Sequence, residues 1–354
     1  MQHYPPQLFP IENLASELKD FDVVIDVRSP DEFAIDHIPG ALNFPVLNNQ
    51  ERAQIGTLYK QVSPFAAKKL GAALVSRNIA NHIEDSLIDL PREWRPLIYC
   101  WRGGERSGAF THILTRIGWK AERLESGYQG FRRLVINDLE KYAQQFSFQV
   151  ICGMTGCGKT RILHELRSLG AQILDLEGLA VHRGSVLGSD PHKNQPSQKG
   201  FETALWNALR TLDPTKPVYV ESESKKVGSV HIPDALMEKI RSGSCIELIT
   251  NIDTRISWLI SEYSHFLADA DELERKLNLL TSRYGKLVIN KWLNVARSEN
   301  FTEFVNEILI HHYDPAYKAS IFKNFPKYDS GRRIQLMNHG DKAFTSSAKA
   351  ILGI

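Results

Sequence analysis

FQVICGMTGCGKTRILHELRSLG, from Phe148 to Gly170, opens with an apolar run of strand length, crosses a glycine-rich turn and ends in a helical pattern closed by glycine. Within it Gly153, Met154, Thr155, Gly156, Cys157, Gly158, Lys159 and Thr160 satisfy G-x-x-x-x-G-K-[ST]. A strand before the pattern and a helix after it form the context in which such a loop cradles a diphosphate. The glycines let the backbone wrap the phosphates, Lys159 places a charge on them, and Thr160 is the candidate Mg²⁺ ligand. The pattern reads a diphosphate; it does not require a nucleotide attached to it.

Downstream runs extend the same unit. AQILDLEGLA, KPVYVESES and CIELITN read as further buried strands. Glu221, at the end of PVYVE, is the best candidate to reach Mg²⁺ through water, with Asp175 and Glu177 as alternatives; a helix-capping role is equally open for each. VHRGSVLG supplies His182, Arg183 and Ser185, and ESESKKVG supplies Glu221, Ser222, Lys225 and Lys226. These clusters suit a phosphate or a substrate backbone. Beyond about Asp253 the pattern is mostly helical, with Trp258, Leu259, Tyr263 and Phe266 apolar. The Gly188–Gly200 stretch is the most loop-like.

Upstream lies a second anion cradle. LIYCWRGGERSG, Leu97–Gly108, puts Cys100 at the end of a strand and just before a helix. Backbone amides, the helix N-terminus, Arg102 and Arg106 all favour a thiolate there. Such a thiolate can carry sulfur or selenium, or attack phosphorus. Around it, Val23–Ile25 reads as a strand ending in Asp26, and Ser29 with Glu32 forms a capping-box pattern. Residues 48–82 read as helical, and Arg106–Gly118 as a helix closed by Gly118. Alternating strands and helices imply an α/β chain built on parallel sheets. Its 354 residues are long for one domain. The polar stretch Tyr142–Ser147 divides it into 1–140 and 141–354.

The first part is similar to the rhodanese family. DVRSPDEFAIDHIPGALNFP carries the entry motif, CWRGGERS the active loop and SGYQGFR the closing segment, over about residues 10–140. The resemblance implies a rhodanese-like parallel-sheet domain, followed by a P-loop NTPase-like three-layer α/β domain with a mostly helical C-terminal region. One departure is the loop length. Five residues separate Cys100 from Arg106, where many sulfur carriers have four; cysteine phosphatases of related fold share the longer spacing but usually carry His where Tyr99 stands. The longer loop suits a bulkier anion such as selenophosphate.

Taken with ERAQIGTLYKQVSPFAAKKLGA, DLEGLAVHRGSVLG and ESESKK, the pair of domains resembles the tRNA 2-selenouridine synthase family. The resemblance implies a transferase that replaces the sulfur of wobble-position 2-thiouridine in tRNA by selenium. Its co-substrates would be selenophosphate and geranyl diphosphate, with Mg²⁺ at the P-loop and no bound redox cofactor. The partners would be tRNA and an enzyme that makes selenophosphate. A sulfurtransferase fused to an ATP-dependent kinase or ATPase, and a regulatory module with degenerate loops, are the competing readings. Retention of Cys100, Lys159 and Thr160 speaks against the last.

Composition sets the frame. Hydrophobic residues at 42% and charged residues at 24% are ordinary for a globular protein, and no apolar run has the length of a transmembrane helix. The N-terminus has no signal-peptide pattern, so a cytoplasmic protein is expected. The four cysteines, Cys100, Cys152, Cys157 and Cys245, show no metal-type spacing. A monomer is compatible with the sequence. Net charge is only +2, modest for a protein that binds tRNA. Residues 1–140 hold 16 basic against 18 acidic residues, so the second part is the better place for a polyanion. Arg183, Lys199, Lys225, Lys226, Arg332 and Arg333 are the candidate basic cluster.

Overall fold

The structure, a computed structural model, describes residues 7–185, 188, 193–263 and 269–354. Phe266, Val186, Leu187 and residues 189–192 of the loop-like stretch, on which the sequence reading drew, lie outside the described residues. The chain divides into two compact units, Met1–Leu139 with Pro196–Arg210, and Glu140–Gln195 with Thr211–Ile354.

In the first unit, β1 (Gln7–Phe9), β2 (Val23–Asp26), β3 (Leu42–Asn43), β4 (Pro96–Tyr99) and β5 (Glu122–Leu124) form a parallel sheet in the order β1-β5-β4-β2-β3. Val23 to Asp26 lie opposite Pro96 to Tyr99. Every residue of β4 is buried, as a central parallel strand requires. The helix Pro30–Ile35 starts on the expected Ser29/Glu32 capping box, and Glu105–Ile117 ends at Gly118 with φ +118°. Ile25, Val27, Ile98, Phe110 and Leu114 sit together in the core.

Residues 48–82 form a helical hairpin. Asn48 and Glu51 cap the helix Asn49–Gln61 reciprocally. Ser63 caps the helix Pro64–His82, with Pro64 at its first turn, where no amide hydrogen is missed. Between them the amides of Val62 and Ser63 both donate to the Leu58 carbonyl. Asn78 ties the base down by donating to the Val46 carbonyl at 3.1 Å and to Glu51 at 2.9 Å.

Residues 196–210, expected in the second part, pack their side chains in the first unit. Trp206, on the helix Gln198–Leu209, meets Phe131 edge to face at 5.5 Å and donates its indole N–H to Asp138 at 3.1 Å. Arg132 pairs with Glu202 and donates to the Thr203 hydroxyl at 3.0 Å.

The second unit holds β6 (Phe148–Cys152), β7 (Gln172–Leu174), β8 (Val218–Glu221), β9 (Lys226–Val227), β10 (Val230–His231), β11 (Ser244–Ile249) and β12 (Arg332–Gln335). A parallel sheet runs β12-β11-β6-β8-β7, and β9 and β10 form a small antiparallel pair. The chain leaves β6 towards β8 and β7 on one side and reaches β11 on the other. The carboxyl end of β6 is therefore a topological switch point, where open α/β sheets bind ligands. Among the described residues, the stretch Ile252–Asn324 is mostly helical, with the segment Thr281–Arg297 broken at Gly285 (φ +78°).

The C-terminal region is more than a helical extension. β12 completes the sheet edge, and the helix Asp341–Leu352 buries Phe344, Ala348 and Ile351 against Ile162, Leu163 and Leu166. β12 reads RRIQ and is largely exposed. An edge strand faces solvent and carries charge, which removes the apolar alternation that would mark it in the sequence.

Candidate active sites at two glycine loops

In the first unit, Cys100 follows β4 and is 4% exposed. The Ser107 hydroxyl donates to its sulfur at 3.1 Å. The loop is pinned from behind, since Tyr128 and Gln129 donate their amides to the carbonyls of Cys100 and Trp101. A side chain at Gly127, which has φ +52°, would strike the Cys100 carbonyl at 2.3 Å; only glycine fits there. Among the described residues, the amides of Trp101, Arg102, Gly103 and Gly104 have no acceptor. They form a cradle for an anion beside the sulfur.

The two arginines behave differently. Arg102 donates its Nε to Gln129 at 3.0 Å. Arg106 is engaged by Glu32, at 2.8 and 3.4 Å. Burial would raise the Glu32 carboxyl, but Arg106 outweighs it and holds the group below its ordinary value. Arg106 thus braces the capping box of the helix Pro30–Ile35, and its charge is largely spent before any ligand arrives. The Asp26–Arg28 pair is structural too, buried with a closest approach of 2.6 Å and with Arg28 stacked 3.9 Å above Tyr128.

In the second unit, the glycine loop follows β6 and opens the helix Lys159–Ser168. Gly156 and Gly158 both have φ +82°. A side chain at Gly158 would meet the Phe344 ring at 2.7 Å. The amides of Met154, Thr155, Gly156 and Gly158 have no acceptor among the described residues. The Cys157 amide is taken by the Met154 carbonyl at 3.1 Å, and burial pushes its thiol up. Cys157 shapes the loop from inside and offers nothing to a ligand through sulfur.

Lys159 reaches the Gly153 carbonyl at 2.9 Å. Burial would lower its ammonium, yet Cys157, Glu223, Glu177 and Glu221 raise it overall. Thr160 donates to Glu177 at 2.9 Å. Among the described residues no three or more His, Cys, Asp or Glu side chains are grouped to hold a metal. Mg²⁺ commonly needs only one or two protein oxygens beside substrate phosphates, and Thr160 with Glu177 offers that hard-oxygen set. Glu221 is a different case from the sequence expectation. It is fully buried, one oxygen accepts the Leu176 amide at 3.3 Å, and the other has no partner among the described residues. Burial, with Glu177, Asp175 and Glu223 nearby, raises its carboxyl well above the ordinary range. Asp175 caps the helix Leu176–Ala180 through Gly178 and meets His164 at 2.9 Å.

Several of these residues line one cleft of about 930 Å³, including Thr155, Lys159, Thr160, Asp175, Glu177, His182, Arg183, Ser185 and Ser222. Burial lowers the His182 imidazole, with Lys276 adding to it. Arg183 pairs with Glu262 at 3.0 Å and Lys225 with Asp234 at 2.5 Å. Arg333 pairs with Glu247 at 3.1 Å, and Arg332 donates to the Ile351 and Ala350 carbonyls. Four of the six candidate basic residues are thus committed inside the second unit. Lys226 is exposed there, and Lys199 belongs to the first unit.

Some site residues escape a reading of the sequence. The Gly153 amide donates to the Tyr317 hydroxyl at 2.6 Å, and the Lys159 ammonium lies 5.6 Å from the Tyr317 ring. Arg255, 4% exposed, donates to the Thr155 carbonyl at 2.8 Å and pairs with Asp314. Glu223 also lines the cleft, and burial and Glu177 push its carboxyl up to about 8. These partners lie about 100 or more residues from the loop, beyond the reach of any local motif, except Glu223, which lies within ESESKKVG.

A model of the tRNA 2-selenouridine synthase AAA domain matches residues 146–328, and a model of the rhodanese-like domain matches residues 11–134. The chain belongs to the tRNA 2-selenouridine synthase family. The tRNA 2-selenouridine synthase of Alcanivorax borkumensis is 32% identical over 83% of this chain and 88% of its own length. That of Shewanella halifaxensis is 31% identical over 85% and 89%. That of Nitrosomonas europaea is 37% identical over 68% of this chain, and the match spans 63% of that relative's length. No helix among the described residues of this family member is long and apolar enough to cross a membrane.

Proposed function

We propose that this chain replaces sulfur by selenium in wobble-position 2-thiouridine of tRNA, in two steps served by the two glycine loops. The observation that carries the first step is an apolar slot of about 40 Å³ opening beside the diphosphate loop. Thr155, Ser185, Leu259, Tyr263 and Tyr313 line both the slot and the cleft, and Leu273, Phe304, Val305, Ile308 and Leu309 extend the slot. A charged cradle joined to an apolar slot suits a diphosphate bearing a hydrocarbon chain, such as geranyl diphosphate, better than it suits a nucleoside diphosphate, whose sugar and base seek polar partners.

In this reading the sulfur of the base attacks the allylic carbon, a C–S bond forms, and the C–O bond to diphosphate breaks. The leaving diphosphate takes the electron pair. Lys159 and the four free loop amides stabilise the charge that develops on it. Thr160 and Glu177 would hold Mg²⁺, which supplies further charge neutralisation on the phosphates.

The Cys100 loop serves the second step. Its free amides and Arg102 hold selenophosphate close to the sulfur of Cys100. Selenium bonds to C2 of the base and geranyl thiol departs. Water takes the phosphoryl group as the P–Se bond breaks, and inorganic phosphate is released. S-geranylation matters because it turns a poor leaving group into a neutral thiol on protonation. A separate enzyme must supply the selenophosphate.

The test is incubation of the full chain with 2-thiouridine tRNA and geranyl diphosphate, selenophosphate, or both, followed by mass spectrometry of digested tRNA. Geranyl diphosphate alone should give S-geranyl-2-thiouridine, and both together 2-selenouridine. ATP hydrolysis stimulated by tRNA, with geranyl diphosphate ignored, would establish the ATP-dependent reading instead.

A further inference from the structure

The paired state of Arg183, Lys225, Arg332 and Arg333 leaves open where a polyanion docks. The first unit's average charge conceals an uneven distribution. From Arg52 to Ile83 there is no acidic residue, while Arg52, Lys60, Lys68, Lys69 and Arg77 are basic. This stretch is the helical hairpin described above apart from its capped start, where Glu51 sits. Arg52 lies 3.6 Å from Glu32. Lys60, Lys68, Lys69 and Arg77 are exposed, and among the described residues none of them makes an ion pair.

Their arrangement is regular. Phe65, Lys68, Lys69, Ala72, Ala73, Ser76 and Arg77 are all exposed and recur at helical spacing, so they share one face of the helix Pro64–His82. The opposite face holds Ala67, Val75 and Ile79, which are buried. The exposed face is about 18 Å long by helical rise, with small residues between the cations. At the hairpin tip, Tyr59, Val62 and Phe65 are 55%, 73% and 69% exposed. Lys69 lies 5.0 Å from the Phe65 ring.

We infer that this hairpin face is a tRNA-docking surface, with the lysines on phosphates and the exposed rings of Tyr59 and Phe65 stacking on unpaired bases. The inference rests on the proposed function for its choice of RNA. Unpaired cations along a face that lets a backbone approach closely fit a phosphate chain. Exposed rings beside them fit unstacked bases in a loop. A helix lying on a membrane would need a continuous apolar face along its length, and here the apolar residues are confined to the tip.

Titration of labelled tRNA with the full chain, followed by fluorescence anisotropy over a range of salt, tests this. The triple variant Lys60→Ala, Lys68→Ala, Lys69→Ala should bind at least about tenfold more weakly, with a log–log salt slope shallower by about 2. Tyr59→Ala with Phe65→Ala should weaken binding about tenfold with the slope unchanged. Arginine at the same three lysine positions should retain wild-type binding. Unchanged affinity and slope in the triple alanine variant, with wild-type binding intact, overturns the inference and leaves the proposed function standing. Failure of the wild type to bind tRNA at about 50 mM salt overturns both. Wild-type binding to phosphatidylserine vesicles that the triple variant loses, at unchanged tRNA affinity, assigns the face to membranes and overturns the inference.

Discussion

The two glycine loops occupy the same place in their sheets but hold their cations differently. Each follows a central parallel strand, opens a helix and, among the described residues, leaves four amides without acceptors. In the first, the arginine at the helix start is already bound to Glu32, and the reactive atom is a sulfur held by Ser107. In the second, Lys159 bonds the Gly153 carbonyl and is ringed by carboxyls, two of which have raised pKa values. The first is a backbone cradle around a nucleophile, whereas the second is a cation held ready for departing charge. Similar loop geometry thus supports different chemistry through the side chains that arrive from outside the motif.

The sharpest way to break the comparison is Cys100→Ala, which should abolish selenium incorporation and leave geranylation of thiolated tRNA largely intact. Mass spectrometry of digested tRNA reads both products, and loss of both would remove the division between loops. Next, Lys159→Ala should slow geranyl transfer by about 10²–10³-fold, the scale of losing one preorganised electrostatic partner. Selenium exchange on tRNA already geranylated should persist. Unchanged geranyl transfer would mean the loop serves another ligand.

A smaller effect is expected at Glu32→Gln, which frees Arg106. Stability should fall by about 1.5–3 kcal/mol, the worth of hydrogen bonds to a charged group, while phosphate binds more tightly at the Cys100 loop. Because the folded Glu32 pKa is depressed, its contribution is present above the ordinary carboxylate range and is lost as pH falls through the folded value. The Tm gap between wild type and variant should therefore close in acid. A pH effect of a different kind concerns Glu223, whose carboxyl is pushed up to about 8. Between its ordinary value and about 8 the folded state holds a proton that the unfolded state has released, so stability of the ligand-free chain falls as pH rises through that window. Glu223→Gln should flatten this part of the Tm–pH curve, and an unchanged curve would place the titrating group elsewhere.

Much of this was legible in the sequence because the responsible interactions are local. The Ser29/Glu32 capping box, the Gly118 helix end and the G-x-x-x-x-G-K-T loop each lie within one window and each appears as expected. Other features depend on residues far apart along the chain. Nothing near Arg106 announces Glu32, 74 positions away, and nothing near Gly153 announces Tyr317. Short edge strands such as β1 and β12 carry too few buried residues to show a period. Charge misled through averaging: a net deficit over residues 1–140 hides a stretch from Arg52 to Ile83 with no acidic residue.

The placement of residues 196–210 has a consequence for synthesis. The core around Phe131 and Asp138 lacks Trp206 until β6, its glycine loop and β7 have all been translated. Domains ordinarily fold as they emerge, N-terminal first. Here the earlier unit cannot be finished in chain order, and a fragment cut near residue 140 would leave the ribosome with an unfilled socket where that tryptophan belongs.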